Sequence, residues 1–269
     1  MEVRKTYKLF VNGEFVRSES GRAYRPDGGN VNVPRGSRKD LRDAVCAARA
    51  GFGGWSGRTA MNRGQILYRA AEMLDGRAAE FVELLGGGAP ARRELDRSVE
   101  TLVWYAGWTD KLSQVTGTVN PVAGPYFNFT LPEPMGVVAI VAPQESPLLG
   151  LVRRVAPALC AGNVAVALAS ETRPLAALTF AEVLATSDVP AGVVNIVSGQ
   201  RKELIPWLAS HMDVNAIDVA GCTTDEIKVV EGSAAGNVKR VIKVAQDEQS
   251  PYLIAAFMEM KTVWHPIGV

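Results

Sequence analysis

Cysteine is scarce in this chain of 269 residues: three occur, Cys46, Cys160 and Cys222. So few, so far apart, exclude a disulfide framework and a zinc cluster, and they point to a reducing compartment. Histidine is scarcer still, with His211 and His265 too distant in sequence to suggest a metal-binding pair. Neither sign of charge prevails. Lys plus Arg number 29 and Asp plus Glu 28, a net charge of +1, so nothing suggests a nucleic-acid partner or an anionic membrane. Long apolar runs are missing as well. The longest, Met135–Pro143, is far short of the roughly 18 residues that a membrane helix needs. Met1–Phe10 lacks the apolar core of a secretory leader. The expectation is a soluble, cytoplasmic protein. What the chain does have is 47% hydrophobic against 21% charged residues, enough for a packed core. Its length suits one large domain or two small ones.

Periodicity divides the chain in two. Lys8–Val16 (KLFVNGEFV) reads as a hairpin, because Asn12-Gly13 supplies the positive φ angles of a type I′ turn. Gly28–Ser37 reads as a loop. Helical spacing follows, with Leu41, Ala44, Val45 and Ala48 on one face of Asp40–Phe52. Asn62 is the expected cap of a helix running to about Leu85, stopped by Gly86-Gly87-Gly88-Ala89-Pro90. A third helix carries Leu95, Val99, Leu102, Val103 and Ala106 on one stripe. Cys46 and Cys160 are assigned to apolar helix faces, hence to the core. Tyr126–Leu131 alternates like a strand. From Gly136 short apolar strands, at 136–142, 164–168, 193–197, 216–219 and 239–244, alternate with helices at about 148–160, 174–187, 202–210 and 223–234. That alternation predicts a doubly wound α/β domain around a parallel sheet covered on both faces. Ala256–Val263, after Pro251, reads as an isolated strand.

Several ordered motifs then resemble the aldehyde dehydrogenase superfamily, from near the first residue to the last. LFVNGEFV resembles that family's N-terminal hairpin, and WSGRTAMNRGQILYRAAEML (Trp55–Leu74) its Trp and Arg-x-x-x-Leu helix. WYAGWTDK (Trp104–Lys111), EPMGVVAIVAP (Glu133–Pro143) and APALCAGNVAVALASE (Ala156–Glu171) follow in the family's order, as do Pro190–Gly199 and Ser210–Gly221. The resemblance implies a Rossmann-like cofactor domain with a small β oligomerisation flap. It divides the chain into an N-terminal hairpin, helices and flap strand (1–131), interleaved with the α/β domain (132–251), and a C-terminal oligomerisation strand (252–269).

The departures from the family bear on function. Glu145 stands where the family's Asn holds the developing oxyanion, and a carboxylate there would repel that charge. Of the Lys and Glu that serve the cofactor ribose, Glu171 remains and the Lys is Leu168. The Gly-rich loop keeps Gly199, but the next two matched glycines are Arg201 and Ile205, whose side chains should block the cofactor. The turn whose Ser meets the pyrophosphate reads Val219-Ala220-Gly221-Cys222. The catalytic Glu falls at about Val244, in the run VAQDE. After Ser250-Pro251 the family continues with a catalytic domain carrying the nucleophilic Cys. Here the chain resumes at Ala256 with what resembles the C-terminal oligomerisation strand. This resembles the non-catalytic C-terminal half of aldehyde dehydrogenase family 16. Met1 suggests a separate chain, and a fragment of a longer one would look the same.

Each candidate also has a plain structural reading. Cys222 begins a predicted helix, where a thiol pKa would fall, or it is a small residue replacing Ser in a tight turn. Glu145 is a general base raised by apolar neighbours, or a residue freed from oxyanion binding. His211 matches a non-catalytic family position and reads as structural. The matched catalytic positions, Glu145 and Val244, are degenerate, so no catalytic residue is assigned. Glu171, Gly199, Gly221 and Cys222 are vestiges of a cofactor site. No cofactor is expected in the leading reading; residual NAD(P) binding belongs to the alternative. Phe257, Met258, Met260, Thr262, Val263 and Trp264 place apolar bulk on a strand that needs a partner edge. That edge belongs to another chain or to Tyr126–Leu131 of this one. The leading expectation is a pseudoenzyme subunit, forming a homo-oligomer or joining a complete aldehyde dehydrogenase. The alternative is an NAD(P)-binding component that needs a partner's catalytic domain.

Overall fold

The computed structural model describes residues 5–26, 29–244 and 249–268. The readings that touch Met1, Gly28 and the end of the VAQDE run lie outside the described residues. The N-terminal hairpin forms as its sequence requires. β1 (Leu9–Val11) pairs with β2 (Glu14–Val16) across Asn12 and Gly13, both at positive φ (55° and 77°). Buried Asn195 fastens it by accepting from the Asn12 amide at 2.9 Å. The short pair β3 (Ala23–Tyr24) and β4 (Val33–Pro34) follows.

α1 (Arg38–Ser56) starts where Ser37 and Asp40 close a capping box. Its Trp55 is fully buried and donates Nε1–H to the carbonyl of Leu159 at 3.2 Å. Cys46, by contrast, is exposed. The expectation that it is core fails because it sits one residue, roughly 100° of helix, beyond Val45 of the buried stripe. The single long helix expected from Asn62 is two helices, α2 (Ala60–Asp75) and α3 (Ala78–Leu84). Thr59 is the true cap, its Oγ1 accepting from the Asn62 amide at 3.2 Å. The break falls at Gly76, a poor helix former. α4 (Gly88–Trp108) carries Pro90 in its first turn, where a missing N–H is harmless. α5 (Leu112–Thr116) and β5 (Thr118–Asn120) were not foreseen.

The α/β part follows the expected alternation: β7 (Val137–Val141), α6 (Leu149–Cys160), β8 (Val164–Leu168), α7 (Leu175–Ala185), β9 (Val194–Val197), α8 (Arg201–Ser210), β10 (Ala216–Asp218), α9 (Thr224–Ala234) and β11 (Arg240–Ile242). β7, β8, β9 and β10 are buried at every residue, as strands covered on both faces must be. The sheet order is β11-β10-β7-β8-β9-β1-β2, with the first five strands parallel and the hairpin antiparallel at one edge. α1 and α8 pack together on one face, while α6 and α7 cover the other beneath α2 and α4.

Past β11 the chain makes a short helix, α10 (Pro251–Ala256), and enters β12 (Met258–Pro266). β12 lies antiparallel along all of β6 (Tyr126–Pro134), and β5 lies on the other side of β6. The tail strand is therefore paired within its own chain, which corrects the expectation that another chain supplies its first partner. Its outer edge stays open. Phe257 and Met258 are buried in the core, not displayed for association. The reason is a polar anchor: buried Asn163 accepts from the Gly136 amide at 2.9 Å and donates to the Phe257 carbonyl at 2.8 Å, holding the flap's base to the sheet.

Candidate functional site

In an open α/β sheet, ligands bind beyond the carboxyl ends of the strands, where strand order reverses. Here β7 neighbours β8 on one side and β10 on the other, so the reversal lies between β7 and β10. The loops leaving those strands frame a crevice of about 400 Å³ lined by Gln144, Glu145, Glu171, Thr172, Arg201, Ala220, Gly221, Cys222, Thr223 and Glu226. The sequence-derived residues Glu145, Glu171, Gly221 and Cys222 thus meet in one place. Gly199 and Val244 do not line it. Gly199 is buried against Gly36 and Leu204, and Val244 follows the end of β11, half-buried against the core. A larger groove, about 780 Å³, runs between α1 and α8 past Arg38 and Trp207. It shares no residue with the crevice.

Gly221 is required by close approach: a Cβ there would stand 2.3 Å from the Val141 carbonyl oxygen. Beside it, Cys222 is half-buried at the approach to α9, whose cap is Thr223. Burial pushes its thiol up to about 12 against the opposing influence of Arg201. That direction is opposite to the one a helix N-terminus would give. Glu145 is exposed at the mouth of the crevice.

Of the groups that dominate the crevice, sequence reasoning named Glu171 and the obstruction by Arg201, and it missed Glu226. Arg201, only 7% exposed, crosses it with its guanidinium. Nε and Nη2 donate to the two carboxylate oxygens of Glu226 at 2.9 and 2.7 Å. Nη1 reaches the carbonyl of Ala142 at 3.2 Å, and Nη2 also reaches that of Gly221. Glu226 additionally accepts from the Thr223 amide at 2.8 Å as the far half of a capping box. Burial pushes its carboxyl up, but the hydrogen bonds from Arg201 and Thr223 outweigh this and hold it below its usual value. Glu171 accepts from the Arg201 amide at 2.8 Å. Outside the crevice lining, Glu94, from α4, accepts from the Leu148 and Leu149 amides at 3.1 and 3.2 Å and from the Ser146 hydroxyl. Only Glu226 had a local signature, Thr223-x-x-Glu226. Glu94 lies far from its helix in sequence, and nothing local marks it.

A dinucleotide needs free amides at a helix N-terminus for its pyrophosphate. At the openings of α8 and α9 the Arg201 and Thr223 amides are instead engaged by the carboxylates of Glu171 and Glu226. Ile205, at the second replaced glycine, is buried in the core. The residues present do not fit the cofactor. Among the described residues no cluster of His, Cys, Asp or Glu suits a metal ion, and no helix is long and apolar enough to cross a membrane.

Comparison with known proteins places this architecture. Cytosolic 10-formyltetrahydrofolate dehydrogenase of Xenopus tropicalis is 34% identical over 256 residues, which are 90% of this chain and 28% of that protein. Retinal dehydrogenase 2 of Mus musculus is 35% identical over 255 residues, 90% of this chain and 48% of that one. The chain therefore spans half or less of the length of these relatives. Among solved structures, the NAD+ complex of an aldehyde dehydrogenase from Bacillus cereus superposes with a TM-score of 0.80 at 29% identity, covering 88% of this chain and 50% of that one. Residues 22–261 match the aldehyde dehydrogenase family, and the chain belongs to that family.

Proposed function

We propose that this chain is a non-catalytic member of the family that works as an associating subunit. It pairs with a second copy or with a complete aldehyde dehydrogenase through the β5–β6–β12 flap. The observation that carries this reading is the join between sheet and flap. β11 ends at Ile242, and the described chain passes through α10 alone into β12 at Met258. The matched nucleophile and general base are absent from the sequence, while the flap is fully built.

The flap's two faces differ. On one, Asn120 donates to Asn128 and Thr130, and Thr130 bonds Thr262 at 2.9 Å. Cross-strand register puts Val119, Phe129 and Val263 side by side on the other, flanked by Phe127 and Leu131. Val119, Phe127, Leu131 and Val263 are each more than 40% exposed. A contiguous apolar face beside an open strand edge favours association, by covering the face or by adding a strand.

Light scattering on the chain at micromolar concentration should give a dimer mass, or a pull-down should recover a full-length aldehyde dehydrogenase. A monomer that recovers no dehydrogenase would end this reading. Deleting residues 256–269 is a poor test, because it also removes the core residues Phe257 and Met258. Val263→Asp leaves the core intact and should weaken association by about tenfold or more. The second reading, an NAD(P)-binding component completed by a partner, has in its favour the retained Gly221 and the likeness to an NAD+-bound structure. The capped helix openings weigh against it.

A further inference from the structure

We infer that Arg201 is a specificity-determining residue, a built-in occupant that closes the crevice to dinucleotides and to other pyrophosphate ligands. Its guanidinium bridges the switch point from within, joining the carbonyl of Ala142 after β7 to that of Gly221 after β10. Four of the five guanidinium N–H groups are satisfied in that position. Arg201 is not a waiting anion receptor, because Glu226 already neutralises it through a bidentate pair. A pyrophosphate entering the crevice would have to displace that pair. It would then face the carboxylates of Glu145, Glu171 and Glu226 together. It would also find the first amide of α8 engaged by Glu171 and the cap of α9 engaged by Glu226. The domain thus carries permanently the cross-crevice link that a ligand could supply only when bound.

The test titrates NAD+, NADP+ and ADP-ribose into the full-length wild type, Arg201→Gly and Glu226→Gln, by calorimetry and thermal shift. Circular dichroism confirms folding. The wild type should show no saturable heat up to about 5 mM ligand. Arg201→Gly removes the occupant, and Glu226→Gln releases it from its counter-charge while keeping its aliphatic stem. At least one folded variant should bind ADP-ribose or NAD+ with a dissociation constant of about 1 mM or tighter, and melt at a higher temperature when ligand is present. If Arg201→Gly does not fold, Glu226→Gln decides alone. Wild-type binding tighter than about 1 mM overturns the inference, as do folded variants that remain indifferent to every ligand. Association through the flap is read on the same wild-type sample by its mass, so the two proposals fail separately.

Discussion

The crevice and the flap are two surfaces of this chain that are finished differently. At the crevice Glu171, Arg201 and Glu226 are partnered inside the chain, while the Nε2 of Gln144 is not. At the flap the polar face is bonded across its strands with only the Asn128 Nδ2 left unpaired, and the apolar face is left uncovered. Internal saturation removes the driving force for ligand binding, whereas uncovered apolar surface supplies one for association. In this chain the charged groups of the crevice are largely paired, and the apolar face of the flap is exposed.

Breaking the crevice should have the largest effect. Arg201→Ala leaves the Glu226 carboxylate and two carbonyls without their partner and should destabilise by about 3–5 kcal/mol in urea denaturation. Arg201→Lys should recover only part of this, because an ammonium cannot reproduce the bidentate geometry. A smaller loss would mean that the crevice is less saturated than its geometry implies.

Thiol reactivity sharpens the contrast between open and closed surface. Burial pushes Cys160 and Cys222 up to about 12, while Cys46 is exposed. A thiol reagent at neutral pH should label Cys46 first, and Cys222 more slowly by a factor of about a hundred. Equal rates would show that the crevice opens readily.

Not every buried polar group is paired. Asp218, fully buried at the end of β10, is pushed up to about 6 by desolvation. Arg154 opposes this from 3.5 Å, but Oδ2 and the facing Nη1 make no hydrogen bond, so burial wins. A folded-state pKa above the unfolded value of 3.8 means that folding favours the protonated acid. This contribution is present in full below pH 3.8 and is lost as pH rises through about 6. Asp218→Asn keeps the acceptor for the Ala220 amide and should stabilise the protein by on the order of 1 kcal/mol at neutral pH. The gain should vanish below about pH 4, as read from denaturation midpoints across pH.

The flap variants complete the series. Val263→Asp and Phe127→Asp lie on the exposed face and should change monomer stability by less than about 0.5 kcal/mol. They should nevertheless weaken self-association or partner capture by about tenfold or more, in sedimentation or light scattering. Unchanged association would move the interface to the outer edge of β12.

Much of the fold was legible because its signals are local. Asn12-Gly13 specified the hairpin, and unbroken runs such as Val164–Leu168 specified buried parallel strands. The boundary at Thr59 was missed because a Thr and an Asn three residues apart are both competent caps, and only geometry selects between them. The loss of two glycines to Arg201 and Ile205 was visible in the sequence as an obstruction. That the Arg201 obstruction is a bonded plug was not, because its anchor Glu226 and the carbonyls it reaches come from different strand ends.

The sequence alone determined the alternation of strands and helices and the family, since each is encoded in residue type and order. Tertiary structure decided which chain pairs with the tail strand, which cysteine is exposed, and that Glu171 and Glu226 engage amides at the helix openings of the crevice. Those outcomes depend on side chains converging from distant segments, and the geometry of that convergence exists only once the sheet has brought its strand ends together.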